Sequence, residues 1–258
     1  MNNNSENSSR FELVNESAKL DNGPGRYRIG LVTLSNDYVT ERDFMNMRPN
    51  DDIAIFTSRL PNTSQCTVET LREMAPHITE AVSLIVPEGR LDVVAYACTS
   101  GTAVLGFKKV QSLIQAVRPN IPCITPLTSS LEALDRFDAQ RISVLTPYVD
   151  DVNADIVRCL ELHGKSIAAF TSFKIMDNEK MARITPESIY HAALNADRQD
   201  ADALFISCTA IRAVEVIEKI EQKLGKPVIT AVQAMFWQSL RLAGFNGKIS
   251  GYGQLLWL

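Results

Sequence analysis

The sequence predicts an α/β protein made of two copies of one unit, each a parallel sheet covered by helices, and three observations carry that prediction. The first is internal similarity. "RIGLVTL" from Arg28 resembles "RISVLTPY" from Arg141, and "IAIFTS" from Ile53 resembles "IAAFTS" from Ile167. "DVVAYACT" from Asp92 resembles "DALFISCT" from Asp202, and "PCIT" from Pro122 resembles "PVIT" from Pro227. Four matches in one order at nearly constant spacing are far harder to obtain by chance than any one of them. The second observation is alternation: short apolar runs are each followed by a stretch with apolar residues at helical spacing. The third is punctuation, such as Thr67 with Thr70 and Pro186 at helix starts.

Taken in order, the first copy is expected to place strands near residues 28 to 34, 52 to 58, 91 to 97 and 121 to 125. Its helices are expected near 38 to 47, 67 to 85, 101 to 117 and 127 to 136. The second copy repeats this with strands near 141 to 146, 166 to 172, 202 to 207 and 227 to 230. Its helices fall near 150 to 163, 186 to 197, 210 to 224 and 231 to 243. The final "KISGYGQLLWL" is expected to add a strand to one of the sheets. Residues 1–25, rich in Asn and Ser, read as a flexible tail with a short helix around 10 to 20. Two domains follow, 26–136 and 137–258.

Composition narrows the partners. The 258 residues are 45% hydrophobic and 22% charged, ordinary for a soluble globular chain. A net charge of -4 without a basic block or stripe argues against nucleic acid and anionic membrane, leaving small molecules. Five cysteines, with no CxxC pair and no apolar leader before them, predict a cytoplasmic chain with free thiols. No apolar run approaches the roughly 20 residues of a membrane span.

The stretch "AYACTSGT" raises the functional question, because it puts Cys98 between a buried strand and a helix. The duplication sets Cys208 at the equivalent place. In open parallel sheets ligands bind beyond the carboxyl ends of the strands, so two units facing each other would bring both thiols to one cleft. A helix start just after a cysteine lowers its pKa toward neutrality, and both cysteines are expected to have that setting. Two opposed thiols suit a reaction in which one takes a proton from carbon and the other delivers one to the opposite face. Thr99, Ser100, Thr209 and nearby backbone N–H groups would steady the enediolate-like intermediate. Cys66, Cys123 and Cys159 read as small apolar residues. His77, His163 and His191 read as surface or structural, with no metal-ligand spacing. No GxGxxG or P-loop pattern supports a nucleotide site. Phe236 and Trp237 read as core or interface, and Arg59 and Arg212 are candidate cations near strand ends.

The motifs "RIGLVTLSNDYVTERDF", "DVVAYACTSGT", "RISVLTPY", "IMDNEKMARITP" and "ADALFISCTAI" resemble the aspartate/glutamate racemase superfamily. Within it they are similar to the branch of maleate isomerases, arylmalonate decarboxylases and ectoine-utilisation protein A. The resemblance implies two pseudo-symmetric Rossmann-like domains with the site between them, no metal or organic cofactor, and a homo-oligomer, dimer or tetramer. It implies that Cys98 and Cys208 are the catalytic cysteines, that Tyr148 binds a substrate carboxylate, and that Asn178 lies on a loop near the ligand. Either Asn36 or Asp37 matches the polar contact after the first strand, with Asn36 preferred. Possession of both thiols argues against simple decarboxylation. The "TSGT" after Cys98 is closer to the ectoine-utilisation group than to maleate isomerases. The expected function is therefore a cofactor-independent two-cysteine isomerase or racemase of a small carboxylate in ectoine utilisation, with maleate cis-trans isomerisation, arylmalonate-type decarboxylation and non-catalytic carboxylate binding as alternatives.

Overall fold

The computed structural model describes residues 17–258. Most of the expected tail and its short helix fall on residues 1–16, outside the described residues, and residues 17–25 form no helix. Eight strands follow: β1 (Tyr27–Leu34), β2 (Ile53–Leu60), β3 (Val93–Tyr96), β4 (Cys123–Ile124), β5 (Arg141–Thr146), β6 (Ser166–Ser172), β7 (Ala203–Ile206) and β8 (Val228–Thr230). They form two four-stranded parallel sheets of identical order, β2-β1-β3-β4 and β6-β5-β7-β8. The duplication is thus a duplication of topology. One ladder departs from it: β5 and β6 slip register between Ile142 and Ser143, whereas β1 and β2 pair without a break.

β3 and β7 are buried along their whole length, as expected of strands with helices on both faces. In each sheet the strand order reverses beside the first strand, so the switch point, where ligands bind in such sheets, falls at the carboxyl ends of β1 and β3, and of β5 and β7. Cys98 lies two residues past the end of β3 and Cys208 two past the end of β7.

The helices are α1 (Thr40–Met47), α2 (Val68–Glu73), α3 (Ala75–Ser83), α4 (Thr99–Leu105), α5 (Phe107–Gln115), α6 (Pro126–Arg136), α7 (Asp150–Leu162), α8 (Asn178–Ala182), α9 (Pro186–Ala196), α10 (Ile217–Leu224) and α11 (Ala231–Ala243). Two expected helices are broken in the middle. The 67 to 85 helix breaks at Met74, just before Pro76, whose ring removes a backbone donor. The 101 to 117 helix breaks at Gly106, whose φ of 81° is a conformation glycine adopts freely. The 210 to 224 helix is shortened: residues 209 to 213 are not helical, a 3-10 turn covers Val214–Val216, and α10 begins only at Ile217. The final segment forms no strand. Gly251 and Gly253, at φ of 96° and 84°, turn it back into a 3-10 helix at Gln254–Trp257. The Glu221 carboxylate anchors it by accepting from the backbone N–H groups of Val228 (3.1 Å) and Gln254 (3.0 Å).

α6 and α11 join the two halves. Each opens with a reciprocal cap, Thr125 with Thr128 and Thr230 with Gln233. They pack on one another, and α11 also covers β1 and β3 of the first sheet while α6 reaches β8 of the second. Phe236 on α11 meets Phe44 on α1 edge to face at 5.1 Å, and Trp237 is buried beside it. Ser129 on α6 donates to Gln238 on α11 at 2.6 Å. The units therefore share a core, and separating them would expose a helix that is apolar on almost every side.

α1 also holds a buried carboxylate. Asp43 receives Arg42 on one oxygen at 2.7 Å, while its other oxygen is buried without a partner. Burial raises its pKa to about 6, offset in part by Arg42. The folded state therefore prefers the protonated acid. This group's stabilising preference is fully present below the unfolded pKa near 3.9 and is lost as pH rises through about 6. Asp43→Asn is expected to raise the melting temperature at pH 8 by a few degrees relative to the unaltered chain, and to leave it nearly unchanged at pH 4. An equal effect at both pH values would refute the assignment.

Candidate active site

Cys98 follows β3 in an extended conformation and caps α4, its Sγ accepting the N–H of Gly101 at 3.2 Å. Its location is the one the strand-then-helix pattern predicts. The Ser100 hydroxyl stands 3.7 Å from this sulfur and 3.6 Å from the sulfur of Cys66, bridging two thiols. Burial raises the Cys98 thiol above its ordinary pKa, opposed by the Gly101 N–H, the Ser100 hydroxyl and the Tyr96 hydroxyl. The expectation of a thiol lowered toward neutrality is therefore corrected: desolvation outweighs the N–H donor.

Cys208 departs further from expectation. It starts no helix, because the chain after it bends through residues 209 to 213. Its backbone lies at φ 104°, a strained region for a residue with a Cβ that costs on the order of 1–3 kcal/mol. The strain aims its sulfur at the Ala210 N–H, which donates at 3.2 Å, and at the hydroxyl of Tyr148. Burial raises this thiol strongly. The two cysteines match in position yet differ in setting, since only Cys98 has a helix behind it.

The two sheets bring these groups together. An ionised Cys66 or Cys98 would oppose ionisation of Cys208, and any of the three as thiolate would oppose that of Tyr148. Thr209 reaches across, its hydroxyl donating to the Ala97 carbonyl at 3.2 Å and so tying the loop after β7 to the loop after β3. The Thr99 hydroxyl is buried without a hydrogen-bond partner. The loops after β2 and β6 clasp as a short antiparallel bridge at Gln65 and Asp177: the Cys66 N–H donates to Met176 (2.8 Å) and the Asn178 N–H to Ser64 (2.8 Å). Cys66 and Asn178 are thus mates across the pseudo-twofold axis, and both are buried. Cys66, expected to be an ordinary apolar filler, belongs to the thiol cluster, where burial pushes it up to about 12. Each lies six residues past the end of its strand, β2 or β6, but the residue types differ, so the repeat does not mark them as mates.

The polar pair after β1 divides its work. Asn36 donates to the Thr63 carbonyl at 2.8 Å and accepts from Asn62 at 2.9 Å, bracing the loop whose Thr63 carbonyl Asn178 also contacts at 3.3 Å. Asp37 is buried, accepts from the N–H groups of Val39 and Thr40 and from the Thr40 hydroxyl at 2.5 Å, and its charge reaches Cys98. Arg59 is committed to the carbonyls of Leu34, Ser35 and Asp37 and to Glu41. Arg212 donates to Ile184 at 3.2 Å and keeps a buried Nε without a partner. Among the described residues no three His, Cys, Asp or Glu side chains are arranged to hold a metal ion, and no helix is long and apolar enough to cross a membrane.

Two like α/β units, joined by a shared core and each presenting a buried cysteine just past the carboxyl end of a central strand, define a thiol-bearing α/β protein. The chain belongs to the arylmalonate decarboxylase family, whose profile matches residues 65–256. A maleate isomerase of Nocardia farcinica is 27% identical over 243 residues, covering 90% of this chain and 96% of its own. In fold it is similar to the maleate isomerase of Pseudomonas putida S16, in a cysteine-to-alanine variant with maleate (TM-score 0.82, 21% identity, 90% of this chain and 97% of that one). The Nocardia farcinica maleate cis-trans isomerase, as a cysteine-to-serine mutant with a covalently bound succinylcysteine intermediate, matches with TM-score 0.81 and 24% identity over 89% of this chain and 98% of that one.

Proposed function

We propose that the chain is a cofactor-independent isomerase that acts on a small carboxylate with two thiols, Cys98 and Cys208. The observation that carries this reading is their convergence: the loops after the equivalent strands β3 and β7 are tied by the Thr209 hydroxyl on the Ala97 carbonyl at 3.2 Å, and each loop carries a buried sulfur. Thr99, Ser100, Thr209, Tyr148 and Asn178 would hold the carboxylate, and Asn36 would brace their loop. The duplicated units, 26–136 and 137–258, would each supply one thiol.

In the proton-transfer form, the thiolate of one cysteine takes the α-proton. The C–H electron pair moves into the carboxylate as an enediolate, and the other thiol protonates the opposite face. The site ends with the protonation states of the two sulfurs exchanged and resets by exchange with solvent. Because burial raises both thiols, only a minority enters as thiolate at neutral pH, and turnover should climb as pH rises.

A second reading draws on the unequal setting of the thiols. Cys98, at the start of α4, would serve as the nucleophile, and Cys208, whose raised pKa keeps it protonated at neutral pH, as the proton donor. Addition of the Cys98 thiolate to a carbon–carbon double bond, with the displaced π electrons taking a proton from Cys208, would leave a single bond free to rotate before the reverse elimination. The succinylcysteine intermediate of the Nocardia farcinica maleate isomerase supports this form. The "TSGT" run after Cys98 supports instead a substrate from ectoine utilisation, such as a diaminobutyrate derivative.

Proton NMR in deuterated water with maleate, aspartate and diaminobutyrate derivatives separates the two. Loss of an α-proton signal is the expected result for proton transfer, and conversion of maleate to fumarate for the covalent form. Saturable binding of a carboxylate with neither change would defeat both and leave a binding protein.

A further inference from the structure

Tyr96 ends β3 two residues before Cys98 and is wholly buried, yet its hydroxyl makes no hydrogen bond of ordinary geometry, although it lies where it would favour the Cys98 thiolate. A buried polar group in that state is costly and calls for an explanation. Its position supplies one. The hydroxyl oxygen and the Cys98 sulfur converge on one point, the place where a Cβ on Gly101 would stand, at 2.9 Å and 2.8 Å, with the Met74 methyl at 2.8 Å closing the third side. The space exists only because residue 101 has no side chain. The repeat makes the arrangement more telling: the matching position before Cys208 is Ile206, so this hydroxyl is not part of the inherited unit. Cys208 obtains its phenol from Tyr148, on the loop after β5, instead.

We infer that Tyr96 is a positioning residue for Cys98, its hydroxyl donating to the sulfur when that sulfur is a thiolate and fixing where it points. The neutral thiol leaves the hydroxyl unpartnered; the thiolate satisfies it. Burial raises the phenol well above its ordinary pKa, so it keeps its proton and remains a donor. Cys98 and Cys208 are then each served by their own tyrosine, from a different segment in each half. The catalytic meaning of this rests on the proposed role of Cys98, but the pairing itself does not.

The test is alkylation of the full chain by iodoacetamide at pH 7.5, with the rates at Cys98 and Cys208 followed separately by peptide mass spectrometry. Tyr96→Phe is expected to slow Cys98 about tenfold, through loss of a charge-assisted hydrogen bond to the thiolate, while the Cys208 rate holds. Using the ratio of the two rates cancels any change in how often the site opens. An unchanged ratio, or both rates rising together as loosened packing would produce, overturns the inference. Where iodoacetamide does not reach Cys98 in the unaltered chain, its thiolate is titrated instead by ultraviolet absorbance against a Cys98→Ala control, and a titration that Tyr96→Phe leaves unmoved overturns the inference. If the ratio falls but Cys98→Ala keeps its turnover, the proposed function fails and the tyrosine–thiol pairing stands.

Discussion

Replacing either Cys98 or Cys208 with alanine is expected to cut turnover by about 10³-fold or more while leaving the protein folded. A positioned acid or base contributes about 10²–10⁴-fold, and a nucleophile cannot be replaced by a methyl group at all. The stability cost should be small for two different reasons. Cys98→Ala loses the sulfur that caps α4 through the Gly101 N–H, a change worth about 1 kcal/mol. Cys208→Ala keeps a Cβ at φ 104°, so the backbone strain is the same before and after. Steady-state kinetics on the carboxylate found by NMR, with thermal melts of the same samples, check both halves. Full activity in either variant would sink the two-thiol mechanism.

Gly101→Ala should be the most damaging change outside the thiols themselves. The added Cβ would stand 2.8 Å from the Cys98 sulfur, 2.8 Å from the Met74 methyl and 2.9 Å from the Tyr96 hydroxyl, closer than real Cβ atoms come. Met74 ends in a flexible chain and can swing aside. The other two cannot move without disturbing the site, because the sulfur sits at the root of α4 and the phenol fills the core under β3. Alanine gains about 1 kcal/mol of helix propensity over glycine, and overpacking costs about 1–3 kcal/mol, so the two nearly offset. Activity has no such compensation: displacing a reacting atom by about 1 Å can cost 10²-fold. The expected result is a loss of about 10²-fold in kcat with a melting temperature within a few degrees of the original. Unchanged kcat would show that the sulfur's location is not critical.

Much of this site was legible before any tertiary structure. Cys98 was found because a β-period ends and a helix begins at one residue, and Cys208 because the same words recur a repeat later. The shared strand order of the two sheets follows from that repetition. The errors are also instructive. The helix expected at 210 to 224 ignored the bend after Cys208, where apolar spacing is helical but the chain is not. The expected C-terminal strand failed because glycines at positive φ fold "GYG" back on α10 and α11. α8 is five residues long, too short for any periodicity to register.

What the sequence determined by itself is the duplicated α/β unit and the placement of one thiol at each equivalent strand end, because both depend on patterns read over a few consecutive residues. What only the tertiary structure decided is the company those thiols keep and the sign of their titration. Tyr148, Asn178 and the Asn36–Asp37 pair are named by the family resemblance alone, and the place of Cys66 beside Ser100 and Cys98 only by the fold, because these segments lie far apart in the chain. Desolvation is a property of the packed whole: the Gly101 N–H on Cys98 acts to lower its pKa, and burial between two sheets raises it further than that one N–H can offset.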